Sequence, residues 1–385
     1  MAKHSIFLQI LLFVHCTFFI VFPGPGAGRQ DHRAALFVFG DSLFDVGNNN
    51  YINTSTTFQA NFWPYGQTFF KYPTGRLIPD FIAEYADLPL LPPYKHPGNH
   101  RFVGGLNFAS SGAGVLPETY QELVIDIHMQ ALHFKKTEEL LEQQLGGGNV
   151  EAKRTLLSRA VYLFSVGAND YVSPFWTNTA DGVFHRYSRE EYVGMVIGNL
   201  TLVITEIHKA GGRKFGFVGL APMGCAPMMR AVSPTDTGDD SCYEDVNALI
   251  KLHNAALSQL LRTLESELQG FKYSLFDFYT SAMERINNPS KYGFKEGKHA
   301  CCGSGPYGGF LSCGEKRGLE YELCGNPSEY VFFDLVHPSD TAYEQFSELM
   351  WSGPPSVVWP NNLRALFESS VEDCMVPPSG VSVEL

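Results

Sequence analysis

The chain of 385 residues carries 40 acidic against 28 basic side chains, a formal net charge of −12. Its 44% hydrophobic residues suffice for a large core, which excludes a disordered chain. No lysine- or arginine-rich face is visible along the sequence, so nucleic acid is not an expected partner.

In chain order, Lys3 and His4 precede an apolar run over 6–22 and the small-residue stretch PGPGAG at 23–28, the three zones of a secretory signal peptide over 1–28. Gln9, His15 and Cys16 inside the run favour cleavage over a membrane anchor, and no later segment sustains the roughly 18 apolar residues of a span. AALFVFG at 34–40 is a continuous apolar run ending in glycine, which predicts a short buried strand with Ser42 just past its C-terminal end. A helix is expected at 79–86, and QLGGGNVEAK at 144–153 reads as a surface loop between strands. VYLFSVG at 161–167 predicts a second buried strand. Over 188–210, Ser188 and Glu191 form a capping box, and Val193, Val196, Ile197, Leu200, Val203, Ile204 and Ile207 share one helical face. Gly211 and Gly212 stop that helix before a strand, KFGFVGL, at 214–220; a long helix at 242–268 and a strand, YSLFDF, at 273–278 follow. Strands alternating with helices of this length imply right-handed crossovers, hence an α/β fold with a mainly parallel sheet covered on both faces. Ligands on such a sheet bind beyond the carboxyl ends of its strands.

Of eight cysteines, Cys16 falls in the leader, so the remaining seven form at most three bridges. Cys225, Cys242, Cys301, Cys302, Cys313, Cys324 and Cys374 are the seven, and one of them stays unpaired. A zinc site in the 301–324 stretch is the lesser reading, because adjacent cysteines do not imitate a C-x-x-C knuckle and export favours oxidation. In an exported chain, Asn53 and Asn199 are glycan acceptor candidates.

Three strand-end segments are polar in the manner of a site: GDS at 40–42, GAND at 167–170 and DLVHP at 334–338. Asp334 and His337 are three apart, so one turn of chain can set the carboxylate against the imidazole, the orienter and base that a serine nucleophile requires. Taken alone, these residues read better as a surface turn, Asn169 and Asp170 as a helix cap, and Gly112 and Gly114 as a tight turn. Asp41 is expected to support its loop, and residues 48–50 to hold a turn. The aromatics Phe58, Phe62, Trp63, Tyr65, Phe69, Phe70 and Tyr72 suit core packing or an acyl groove. The hydrolase elbow G-x-S-x-G is missing, and no G-x-G-x-x-G or P-loop follows a strand, which disfavours a nucleotide binder.

FVFGDSLFDVGNNN at 37–50, GLNFASSGAGVL at 105–116, FSVGANDY at 164–171 and DLVHPSD at 334–340 together resemble the four ordered blocks of the plant-type GDSL esterase/lipases, a branch of the SGNH hydrolases. The resemblance runs from about 36 to 367 and implies a three-layer α/β/α sandwich of flavodoxin-like layout over 29–367, with 368–385 as a tail; Cys374 falls in that tail and is the candidate for the unpaired thiol, which leaves the other six cysteines as disulfide candidates. It further implies Ser42 as nucleophile, His337 as base, Asp334 as its orienter, and an oxyanion hole from the backbone N–H groups of Ser42 and Gly112 with the amide of Asn169. The implied protein is a secreted serine esterase or lipase acting on acyl esters, with lipids among them, that needs no cofactor and keeps no membrane anchor. An acyltransferase using an alcohol acceptor and a catalytically impaired binding protein of the same fold are the alternatives. One departure stands out: family members usually read PTGRFSDGR before IPDFIAEY, whereas this chain reads YPTGRLIPDFIAEY at 72–85, about five residues fewer. That deletion bears on the cleft or on folding.

Overall fold

The computed structural model describes residues 34–65, 75–98, 101–234 and 241–370. The expected signal peptide, the stretch 368–385 beyond residue 370, Cys374, Phe69, Phe70 and Tyr72 lie outside these residues. Ten strands are present among them: β1 Leu36–Gly40, β2 Gly105–Asn107, β3 Val161–Ser165, β4 Lys214–Val218, β5 Lys272–Phe276, β6 Glu296–Ala300, β7 Cys302–Gly303, β8 Glu322–Leu323, β9 Tyr330–Phe332 and β10 Val358–Pro360. The helices are α1 Ile78–Tyr85, α2 Ile127–Gln144, α3 Val150–Arg159, α4 Ala168–Trp176, α5 Ala180–Arg186, α6 Arg189–Lys209, α7 Pro227–Val232, α8 Glu244–Glu267, α9 Phe278–Asn287, α10 Asp340–Ser352 and α11 Leu363–Glu368.

Six strands form the central sheet in the order β10-β5-β4-β3-β1-β2. All neighbours are parallel except β10, which runs antiparallel to β5 at the edge. Alternation along the buried strands builds the two outer layers. Phe37 and Phe39 of β1, Tyr162 and Phe164 of β3, and Phe215 and Phe217 of β4 point into one core with α2, α6 and α8. Leu36, Val38, Val161 and Leu163 point into the other, with α1, α9, α10 and α11. On the first face the rings run in rows across the strands: Phe39 stacks on Phe164 at 4.9 Å between centroids and Phe164 on Phe217 at 5.3 Å. The fold is the expected α/β sandwich with a mainly parallel sheet.

The capping box that starts α6 is present, with Ser188 Oγ accepting from the Glu191 N–H and Glu191 Oε2 accepting from the Ser188 N–H. The reading of 144–153 needs correction, since helices α2 and α3 flank it rather than strands. Only its glycine-rich first half is loop. Asn149 Oδ1 accepts from the Ala152 N–H and starts α3, a largely polar helix whose few apolar positions hide it from a periodicity search. Within the shortened 72–85 segment α1 still forms: Asp80 Oδ2 accepts from the Leu77 N–H, and the Arg76 N–H donates to Asp340 Oδ1 on α10. Residues 72–74 of that segment lie outside the described residues.

All six candidate cysteines are bridged, as Cys225 to Cys242, Cys301 to Cys324 and Cys302 to Cys313. The last two staple an excursion between β6 and β9. Its backbone grips the strand leading to Asp334: the N–H groups of Cys301 and Cys302 donate to the carbonyls of Phe332 and Phe333. No helix among the described residues is long and apolar enough to cross a membrane.

Candidate active site

From β1 the chain order departs to β2 on one side and to β3 on the other, so the sheet's switch point lies between β1 and β3. Ser42 leaves the carboxyl end of β1, and Asn169 sits in the first turn of α4 after β3. The loop carrying Ser42 is held from several directions. Gln130 of α2 clamps Gly40, accepting from its N–H and donating to its carbonyl, both at 2.8 Å. Asp41 Oδ1 accepts from the Leu43 N–H, which is the loop support expected of it. Burial pushes the Asp41 carboxyl up to about 7 against the lowering effects of that N–H and of His337.

The asparagines expected to hold a turn do more. Asn48 donates to the carbonyls of Asn107 and Ala109, and Asn49 to those of Phe58 and Ser111, so they tie the Ser42 loop to the end of β2, to the segment after it and to Phe58. In that segment the Ala113 N–H closes a turn onto the Ser110 carbonyl, with Gly112 at the third position and φ of +86°. A Cβ at Gly112 would stand 2.6 Å from the Phe58 ring as well as in a left-handed conformation. Gly114 has a separate reason to be glycine, since a Cβ there would come within 2.5 Å of Asp170 Oδ1. Gly112 lines the cavity at Ser42 and Gly114 does not. The buried Asp170 accepts from the N–H groups of Val115 and Leu116 and from the Thr119 hydroxyl, fastening α4 to the same segment; it is not merely a helix cap. Burial pushes its carboxyl up to about 6.

Asn169 Nδ2 donates one proton to the Ala113 carbonyl at 3.0 Å. An amide nitrogen has two, so the second remains for a ligand. Neither the Ser42 nor the Gly112 N–H meets a protein acceptor among the described residues. All three groups border one cavity, and their residue types suit an anionic oxygen.

After β9 the chain turns through Asp334 to His337. Asp334 Oδ1 accepts from the N–H groups of Val336 and His337, and both carboxylate oxygens lie 2.9 Å from His337 Nδ1. The Phe333 N–H closes the turn onto the His337 carbonyl. With Nδ1 on the carboxylate, Nε2 is the basic nitrogen; it is shielded from solvent and has no hydrogen-bond partner among the described residues. Pro338 follows, and Ser339 then caps α10.

Two cavities meet at Ser42, Asp334 and His337. The first, about 1160 Å³ counting its open mouth, reaches the apolar side chains of Phe278, Ala282, Ile286, Phe332 and Phe346. The second, about 980 Å³ on the same measure, is lined by Asp45, Asn49, Asn50, Gln59, Arg76 and Asp340 among others. Of the aromatics weighed from sequence, Phe58 lines both cavities, whereas Trp63 is 74% exposed. Sequence reasoning missed Gln130, and it gave other roles to Asp170, read as a helix cap, and to Tyr65, weighed as a core or groove aromatic, whose hydroxyl donates to Asp334 Oδ2 at 2.8 Å. Of the glycan candidates, Asn53 is exposed in a loop, while Asn199 lies within α6 with its amide donating to the Met195 carbonyl.

Comparison with known proteins gives the same picture over most of the chain. The family model described as GDSL-like Lipase/Acylhydrolase matches residues 36–350. A protein named GDSL esterase/lipase 1 from Arabidopsis thaliana is 53% identical over 88% of this chain and 91% of its own. A GDSL lipase from Tanacetum cinerariifolium is 49% identical over 91% of this chain and 93% of its own. At greater distance stands an A. thaliana relative named inactive GDSL esterase/lipase-like protein 25, 33% identical over 86% of this chain and 74% of its own. The chain belongs to the GDSL-like lipase/acylhydrolase family and is a carboxylic ester hydrolase.

Proposed function

We propose that hydrolysis proceeds through an acyl-enzyme on Ser42. His337 Nε2 takes the Ser42 hydroxyl proton as Oγ attacks the ester carbonyl carbon. The oxygen that becomes negative is held by the N–H groups of Ser42 and Gly112 and the free amide proton of Asn169. Collapse of this adduct breaks the bond to the alcohol oxygen, which leaves with the proton from His337. Water, deprotonated by the same nitrogen, then attacks the acyl carbon and releases the acid and Ser42. The observation that carries this reading is the pairing of Asp334 with His337 Nδ1 at 2.9 Å beside the cavity shared with Ser42.

The acyl chain occupies the first cavity, whose far wall is apolar, and the alcohol part lies in the second, which mixes the apolar surfaces of Phe58, Leu77, Phe333 and Pro338 with the polar groups of Asn49, Asn50 and Gln59. Lipid esters fit this division. The three disulfides and the leader-like N-terminus support secretion of the mature enzyme. Ser42→Ala tests the mechanism with p-nitrophenyl esters and a fluorophosphonate probe. Loss of both turnover and labelling is expected, and retained turnover refutes it. An alcohol entering the second cavity would replace water as acceptor, and product analysis with the two in competition measures that transferase share.

A further inference from the structure

Tyr65 comes from the loop before α1, 269 positions away from Asp334 in sequence, and its hydroxyl donates to Asp334 Oδ2 at 2.8 Å. The contact is built rather than incidental. The Tyr65 ring meets Phe62 edge-on at 5.7 Å and Phe333 at 5.5 Å, and Phe333 is the residue immediately before the carboxylate. The phenol is therefore packed against the very turn that it hydrogen-bonds.

The two oxygens of Asp334 are held differently. Oδ1 is fixed by the N–H groups of Val336 and His337 within its own turn, whereas the Tyr65 hydroxyl comes to Oδ2 from outside it. We propose that Tyr65 is a positioning residue for the catalytic base, fixing the plane of the Asp334 carboxylate and drawing off part of its charge. This rests on the assignment of Ser42, His337 and Asp334 made above. A phenol in this place only donates to a carboxylate, and burial together with the Asp334 charge pushes its own ionisation well up, so it remains a donor through the working range. Among the described residues, further charged or titratable groups near the pair are Asp41 beside Ser42, Tyr343 on α10, and Asp45 and Arg76 with its partner Asp340 in the second cavity.

The consequence is a sign. A donor on Oδ2 weakens the attraction between the carboxylate and the imidazolium that forms in each half-reaction, so removing the donor strengthens that attraction while loosening orientation. In Tyr65→Phe the ring and its packing remain. The acid limb of the kcat/KM profile should move to higher pH by roughly half a unit or more, and kcat should fall about tenfold with KM within about twofold. Site-specific 3,5-difluorotyrosine at position 65, a stronger donor of nearly the same shape, should move the limb the opposite way. It also provides the test should the phenylalanine variant fail to fold. Superimposable pH profiles overturn the proposal, as does a fall in kcat with the limb unmoved in both variants, which would make Tyr65 structural only. Ser42→Ala, assayed in parallel, separates the levels: an inert Ser42→Ala with an unmoved limb refutes only the role of Tyr65, whereas an active Ser42→Ala removes the catalytic assignment beneath it.

Discussion

Asn169→Ala is the most direct probe of how the site stabilises charge. Its amide has two protons, one committed to the Ala113 carbonyl at 3.0 Å and one left for the cavity. That first bond fixes the second donor in place before substrate arrives, so little reorganisation accompanies formation of the oxyanion. Deleting one such donor costs about 2.7–4 kcal/mol of transition-state stabilisation, or roughly 10²–10³ in kcat, with KM changed little because a ground-state carbonyl draws less on it. The Ala113 carbonyl also loses its partner, a separate loss of about 1 kcal/mol in stability. Steady-state turnover of p-nitrophenyl esters reports the first effect and urea unfolding the second. Asn169→Asp, nearly isosteric but anionic and without a donor, should be at least as damaged. A folded Asn169→Ala enzyme whose kcat stays within about fivefold of the parent would refute the oxyanion assignment.

Two further perturbations address the acyl cavity and the core. Phe278, Ala282 and Ile286 recur every four residues on the α9 face toward the first cavity, so Ala282→Phe should block its far end. Each methylene denied a place costs about 0.8 kcal/mol, near fourfold in kcat/KM, so long acyl esters should lose roughly a hundredfold while short ones change little; a uniform loss across chain lengths would refute the placement. In the core, the Tyr171 hydroxyl lies 2.9 Å from His253 Nδ1, and burial drives this imidazole down from 6.5 to about 3. The unfolded chain therefore takes up a proton before the folded one does. The stability this group contributes is complete above pH 6.5 and is lost as pH falls toward about 3, at ~1.4 kcal/mol per unit. Urea unfolding of the parent and of His253→Asn between about pH 4 and about pH 7.5 should show a shallower acid slope in the variant, and identical slopes would refute it.

The main strands were legible because buried parallel strands are continuous apolar runs, and Ser42, Gly112, Asn169, Asp334 and His337 because they fall in short ordered blocks at strand ends. What escaped has a common cause. The Gln130 clamp on Gly40 spans 90 residues and the Tyr65 contact with Asp334 spans 269, and no periodicity records which distant polar group a buried one will meet. Helix α3 escaped for a different reason: it buries only Leu157 and Ser158, so it lacks an apolar stripe. Strand β10 consists of three residues with an unremarkable pattern, and its antiparallel course follows from tertiary pairing with β5.

The stapled excursion makes the two ends of the candidate site unequal in how they are held. Ser42 is secured by β1 and by hydrogen bonds, which form wherever the chain folds. Asp334 and His337 follow a strand edge gripped by Cys301 and Cys302, each of which is itself tied down by a disulfide. Reduction of the two bridges would remove the covalent tethers beside Asp334 and His337 while leaving the hydrogen bonds that hold the Ser42 loop, so the two ends of the candidate site differ in their sensitivity to thiols.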